Sequence, residues 1–178
     1  MDRQVYNKIF EEVFRVSQFT MFTSGLKEFT RWIKYKEPDE ILYWHKINCF
    51  GKTSHLCNIN VEPILVYGDI GNLFPFVSNC ISEKLNQGAM RGKELVNNFP
   101  HPKPLELYKK LLLNYTKKIE IVLDCFMGSG TTASACESLG INYIGFEKNK
   151  EYINDIKKRI KLGISQYKIR QPKGMMNV

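Results

Sequence analysis

One stretch constrains the fold of this chain more than any other. Residues 124–132 read DCFMGSGTT, set between the apolar run Ile119–Leu123 (IEIVL) and a helical pattern over Thr131–Leu139 that Gly140 stops. A second strand pattern follows at Ile141–Phe146. A second helix pattern spans Glu151–Leu162, with Ile153, Ile156 and Ile160 on one face and Gly163 as its stop. Strand, turn and helix, repeated once, make a βαβα unit, and such units build parallel sheets. The expected class is therefore α/β, with Ile119–Leu123 a buried strand.

The turn itself has chemical content. Ligands of open parallel sheets bind beyond the carboxyl ends of the strands, where this turn lies. Gly128 and Gly130 let the backbone turn tightly and approach a ligand without a Cβ in the way. The first N–H groups of the following helix favour negative charge, such as an amino-acid carboxylate. Asp124 can accept a hydrogen bond from an ammonium group. Glu147, at the end of the next strand, lies about 20 residues on, where nucleoside-binding sheets place an acid for ribose hydroxyls. Phe126, Ile144 and Phe146 can wall an adenine ring. A Gly-Ser-Gly turn by itself is often only a turn; the two acids argue otherwise. The segment is not a phosphate-binding loop, since Thr131 stands where the lysine belongs. It departs from the dinucleotide fingerprint, since Ala133 takes the third glycine position.

The remaining chain is patterned less strongly. Val5–Val16 has helical spacing, and Gln18–Thr23 reads as a short strand. Ser24 is placed to N-cap a helix over Leu26–Tyr35. Pro38-Asp39 marks a turn before a strand at Glu40–Ile47, and Pro63–Tyr67 is an apolar strand closed by Gly68-Asp69. Residues 70–100 read mostly as loop. Pro102 and Pro104 introduce a helix over Leu105–Tyr115. No apolar run reaches the roughly 18 residues of a membrane span. The N-terminus carries acids and does not read as a secretory signal. Five cysteines without a C-x-x-C pair argue against a disulfide framework and a zinc site, and no metal is expected. A reducing cytoplasm is the expected compartment. The net charge of +8 points to a polyanionic partner.

The segments HPKPLEL, VLDCFMGSGTT and GINYIGFEKNKEYINDIKKRI together resemble the S-adenosylmethionine-dependent DNA amino-methyltransferases, densely over residues 99–160. That family methylates the exocyclic amine of adenine or cytosine. The resemblance implies a three-layer, Rossmann-like methyltransferase fold with a mostly parallel sheet. It implies S-adenosylmethionine as cofactor and DNA as partner. Asp124, Cys125 (in place of the more usual proline), Phe126, Gly128, Ser129, Gly130, Thr131 and Thr132 would form the methionine pocket. Phe146 and Glu147 would serve the nucleoside, and His101 and Lys103 would lie in the preceding segment that folds against the cofactor. EEVFRVSQFTMFTSG, EILYWHKINCFG and NVEPILVYGD are similar, more weakly, to the family's upstream elements.

In this order of motifs the catalytic segment, an Asp, Asn or Ser followed by Pro-Pro and an aromatic, belongs upstream. No Pro-Pro dipeptide occurs in the 178 residues. The catalytic residues are therefore unknown, and the sheet is expected to be incomplete at its N-terminus. The expected division is 1–68 for the remainder of the catalytic half, 69–100 for a loop or short target-recognition segment, 101–163 for the cofactor half and 164–178 for a basic tail. A second polypeptide carrying the catalytic motif is one implied partner. An inactive cofactor- or DNA-binding remnant and a methyltransferase of RNA or small molecules are alternatives. His45, in Trp44-His45-Lys46, lacks an evident partner acid, and His55 with Cys57 lacks two further metal ligands. Lys84, Arg91 and Lys93, with Lys168, Arg170 and Lys173 in the tail, are candidate phosphate contacts or simply a solvated basic surface. The charge reading predicts that affinity for duplex DNA falls linearly on a log–log plot against salt. Titrations at several salt concentrations check it, and an affinity indifferent to salt contradicts it.

Overall fold

The structure is a computed structural model that describes residues 3–49, 59–68, 78–84, 102–116 and 120–169. It falls into two compact units divided after Lys84.

The first unit begins with helix α1 (Arg3–Val16) and strand β1 (Thr20–Thr23), followed by helix α2 (Leu26–Tyr35). Strands β2 (Glu40–Lys46), β3 (Val61–Tyr67) and β4 (Cys80–Glu83) complete it. The sheet order is β1-β3-β2-β4. β3 runs antiparallel to both β1 and β2, whereas β2 and β4 are parallel. The apolar spacing read in α1 turns Phe10 and Phe14 inward. There they meet Trp32, Leu65, Tyr67 and Phe22 in an aromatic core, with Phe10 and Trp32 ring centroids 4.4 Å apart. Each such ring contributes about 1.5–3 kcal/mol by leaving water. Pro63 sits within β3, the central strand of the three that precede β4, and its carbonyl accepts the Ser24 N–H at 2.9 Å.

Two expectations are corrected here. Ser24 is not the N-cap of α2; Gly25 is, and its carbonyl accepts from Glu28 and Phe29. The Ser24 N–H is still used by the β1–β3 ladder, while the helix itself spans Leu26–Tyr35 as expected. Within 70–100, read as mostly loop, β4 is a strand. Four residues are too few to display a period, yet the buried Ile81 and the Trp44 indole, which donates to the Glu83 carbonyl at 3.1 Å, fix it beside β2.

The second unit contains helix α3 (Leu105–Tyr115), strand β5 (Ile121–Asp124), helix α4 (Thr131–Leu139), strand β6 (Asn142–Gly145) and helix α5 (Lys150–Ile169). β5 and β6 pair in parallel, from Ile121↔Asn142 to Asp124↔Gly145, as the βαβα pattern requires. Leu112, Ala135, Cys136 and Ile141 form the core, with Leu105, Tyr108, Val122 and Tyr143 packed on it. Strand β5 is not buried on both faces: Val122 packs inward, while Ile121 is 62% exposed. Gly140 stops α4 in the left-handed conformation at φ +68°, as expected. Gly163 does not stop α5, which continues in helical form to Ile169. A helical glycine costs about 1 kcal/mol relative to alanine and ends a helix only where a positive φ is required. The residues expected to form a basic tail thus begin inside α5.

Gly68 ends β3 at φ +96°, and a Cβ there would land on the Gln18 carbonyl oxygen. Its N–H donates to Asp39 Oδ2 at 2.7 Å. Gly68→Ala is expected to lower stability by about 2–4 kcal/mol, combining left-handed strain with backbone crowding. Both tryptophans, Trp32 and Trp44, lie with Gly68 in the first unit. Urea unfolding followed by tryptophan fluorescence checks the effect, and an unmoved midpoint contradicts it.

Candidate functional site

The site grows from the end of β5. Asp124 Oδ1 accepts the Phe126 N–H at 2.9 Å, an Asx turn that bends the chain out of the strand. The β6 edge follows the bend: Phe146 N–H donates to the Asp124 carbonyl at 2.8 Å, and Met127 N–H donates to the Phe146 carbonyl at 3.0 Å. Gly145 makes this approach possible, because a Cβ there would overlap the Met127 sulfur. Gly130 N–H then closes the turn on the Met127 carbonyl at 2.7 Å. Gly128 and Gly130 both have positive φ, 51° and 73°.

Gly130 is the N-cap of α4, and its carbonyl accepts the first intrahelical bond, from Ser134 at 3.0 Å. The N–H groups of Thr131, Thr132 and Ala133 therefore have no acceptor inside the helix. They gather the partial positive charge of the helix start. Side-chain volume at Gly130 does not open toward a ligand: a Cβ there would lie 2.8 Å from Ile156 Cγ1 on α5. The need for glycine at this position thus comes from φ and from helix packing.

Glu147 binds the turn from the other strand. Its Oε2 accepts the Gly128 N–H and its Oε1 the Asn149 N–H, both at 2.9 Å. Asn149 in turn N-caps α5 through Oδ1, which accepts the Glu151 N–H at 2.9 Å. One half-buried carboxylate thereby fixes the middle of the turn and the start of α5. Each of its oxygens has two lone pairs, so both retain acceptor capacity for hydroxyl groups.

Thr131 is buried, and its hydroxyl is used within the protein. It donates to the Lys103 carbonyl at 3.1 Å and accepts from Arg159 Nη1 at 3.2 Å. With its single proton committed, it accepts from Ser129 Oγ at 3.0 Å. Lys103 thus meets the turn through its backbone, which seats the segment before α3 against it. Thr132 is also buried. Cys125 is half-buried beside Asp124; burial, then the Asp124 charge, pushes its thiol pKa up. The buried Cys136 is pushed up to about 11 by burial and by the charges of Asp124 and Glu137, so both thiols are protonated near neutral pH.

Phe126 and Phe146 are 48% and 58% exposed at the strand ends, with Ile144 at 50%. Ile121 and Leu123 on β5 are exposed too, at 62% and 37%. His101, Arg91, Lys93, His55 and Cys57 lie outside the described residues, as do Arg170 and Lys173. Lys84 is exposed after β4. His45 Nδ1 lies 3.2 Å from Ser82 Oγ, its strand partner, and Lys46 pairs with Glu62 at 2.9 Å. Among the described residues, no three His, Cys, Asp or Glu side chains group as a metal site. No helix among them is long and apolar enough to cross a membrane.

The sequence reading missed Arg159, Asn149 and Met127. Spacing alone carried no signal for Arg159: it lies at the flank of the apolar face of its helix, and its partners Ser129 and Thr131 are about 30 residues away.

Residues 8–158 match the sequence model of a family described as DNA methylase. The chain is 39% identical over 84 residues to the type II methyltransferase M1.MboII of Moraxella bovis, which is 47% of this chain and 30% of that protein. It is 54% identical over 50 residues to the type II methyltransferase M.BglI of Bacillus subtilis, 28% of this chain and 14% of that protein. These matches span less than a third of the relatives' own length. A crystal structure of M1.HpyAVI in complex with SAM is similar over 80% of this chain and 74% of that chain, at 25% identity and a TM-score of 0.62. The PvuII DNA methyltransferase (cytosine-N4-specific) shares the fold over 94% of this chain and 77% of that chain, at 16% identity and a TM-score of 0.60.

The packing of Gly130 on α5 predicts a coupled loss. Gly130→Ala is expected to reduce amide hydrogen-exchange protection across Thr131–Leu139 by about 2 kcal/mol or more, from left-handed strain and crowding. Adding Ile156→Ala relieves the crowding, so the double variant loses less than the sum of the two single losses. Strict additivity contradicts the proposed contact.

Proposed function

This chain belongs to the DNA methylase family, and on that premise we propose that it binds S-adenosylmethionine at the turn 124–132 and serves methyl transfer to an exocyclic amine of adenine or cytosine in DNA. The observation that carries the reading is the Glu147 carboxylate fastened to the Gly128 N–H, beside three helix-start N–H groups and two exposed aromatic rings. This donor and acceptor set suits an amino acid joined to a nucleoside.

When bound, S-adenosylmethionine supplies an electrophilic methyl group on a positively charged sulfur. The N–H groups of Thr131, Thr132 and Ala133 hold the carboxylate, and Asp124 accepts from the ammonium. Glu147 accepts from the ribose hydroxyls. Phe126, Ile144 and Phe146 cover the adenine, with Phe146 and Glu147 adjacent at the end of β6. By the family resemblance, Cys125, Gly128, Ser129, Gly130, His101 and Lys103 would complete the pocket. The basic side chains of Lys84, Arg91 and Lys93 contact DNA phosphates, in line with the net charge of +8. The target amine needs an acceptor for its protons and a stacking partner for the extruded base. No Pro-Pro-aromatic segment in these 178 residues provides either. A second polypeptide or segment is proposed to do so.

Two measurements test this. Titration calorimetry with S-adenosylhomocysteine is expected to show binding. Glu147→Ala should weaken it by about tenfold to a hundredfold, with Glu147→Gln in between, because hydrogen bonds to a charged acceptor are lost or reduced. Wild-type protein that binds no ligand, or a Glu147→Ala variant that binds equally, contradicts the assignment. In the second, labelled methyl transfer to unmethylated DNA is expected only when a polypeptide carrying the Pro-Pro-aromatic segment is added. Lost positioning alone removes several kcal/mol, on the order of 7–11 for a fully oriented reaction. Transfer by the chain alone refutes the need for that segment. No transfer in either case, with ligand binding intact, favours the inactive remnant.

A further inference from the structure

Resting on the ligand reading above, we propose that Arg159 is a positioning residue for the amino-acid end of the ligand. Arg159 reaches from the middle of α5 to the glycine turn, where Nη1 donates to the Ser129 carbonyl at 2.9 Å and to Thr131 Oγ1 at 3.2 Å. The Ser129–Gly130 peptide it grips sets the positive φ of Gly130, 73°, from which α4 starts. In the observed orientation the Ser129 carbonyl faces the guanidinium, while the Gly130 N–H points to the Met127 carbonyl. Rotation of this peptide would break both bonds and turn the Ser129 oxygen against the Met127 carbonyl, so the start of α4 would lose its fixed entry. Arg159 holds the peptide in this orientation and adds a positive charge at the helix start, both of which favour a bound carboxylate. The second bond, to Thr131, locks the first residue of α4 in the same grip.

The nucleoside end is held by different contacts. Glu147 is tied to the Gly128 and Asn149 N–H groups and not to the Ser129–Gly130 peptide. Loss of Arg159 should therefore damage recognition of one end of the ligand and spare the other. A residue that merely braces α5 would affect both ends alike.

Two ligands separate these cases. S-adenosylhomocysteine carries the amino-acid tail; 5′-methylthioadenosine keeps adenine and ribose without it. Both are titrated into the 178-residue chain and its Arg159→Met and Arg159→Lys variants, with far-UV circular dichroism to check folding. Arg159→Met is expected to weaken S-adenosylhomocysteine by roughly tenfold or more and 5′-methylthioadenosine by less than about twofold. Arg159→Lys, which keeps the charge and loses the planar fork, should fall between, and it carries the comparison if the methionine variant does not fold. Equal weakening of both ligands, or of neither, overturns the proposal. Wild-type protein that binds neither ligand overturns the ligand reading itself, and this inference with it.

Discussion

Both oxygens of a single carboxylate, Glu147, are committed to backbone N–H groups, one in the glycine turn and one at the start of α5. Without it, the turn after β5 would lose its tie to the start of α5 and keep the Asp124 bond, the edge of β6 and the Arg159 contacts. With it, the turn, the end of β6 and the start of α5 become one object. Arg159 repeats the linkage some three turns along the same helix, from α5 back to Ser129 and Thr131. The turn is thus clamped on both sides by one helix, and the N–H groups at the start of α4 are held in a fixed array. A pre-arranged array of this kind loses little freedom when an anion arrives, which the proposed ligand would exploit.

The clamp uses groups that burial would otherwise penalise. The Thr131 hydroxyl is buried with one donated and two accepted bonds, which saturates it. A charged guanidinium half removed from water is tolerated because its donors meet a carbonyl and a hydroxyl. Apolar packing does the rest: Ile156 fills the space that a side chain at Gly130 would take, and Met127 the space above Gly145. Glu147 keeps acceptor capacity and the N–H groups of Thr131, Thr132 and Ala133 lack an acceptor inside the helix, while Phe126, Ile144 and Phe146 are exposed. That combination of open polar groups and exposed rings is what the proposed ligand site would use. The Rossmann-like fold, shared with DNA methyltransferases of known structure, places it at the carboxyl ends of two parallel strands.

Much of this was legible in the sequence because the constraints were local. A glycine pair between an apolar strand and a helix can hardly be anything but a tight turn, and the bounds of α2 and α3 followed from period and proline placement. Local rules also set the limit. Gly140 and Gly163 look alike in sequence, yet only Gly140 takes a positive φ. The strand β4 has four residues and one buried side chain, too little for any period to emerge. The exposure of Ile121 depends on which face of β5 the helices cover, a property of packing and not of spacing. The acids and glycines of the site were readable for the same reason as the turn. Arg159 was not, because its partners lie about 30 residues away and meet it only in the folded unit.

The central claim is that the clamped turn is where an amino-acid-bearing nucleoside binds. Backbone amide resonances followed during titration with S-adenosylhomocysteine test it most directly. The account predicts saturable shifts concentrated at residues 128–133 and 147–149, with the largest at the N–H groups of Thr131, Thr132 and Ala133. Saturable shifts elsewhere in the chain, with residues 128–133 unmoved, would contradict it.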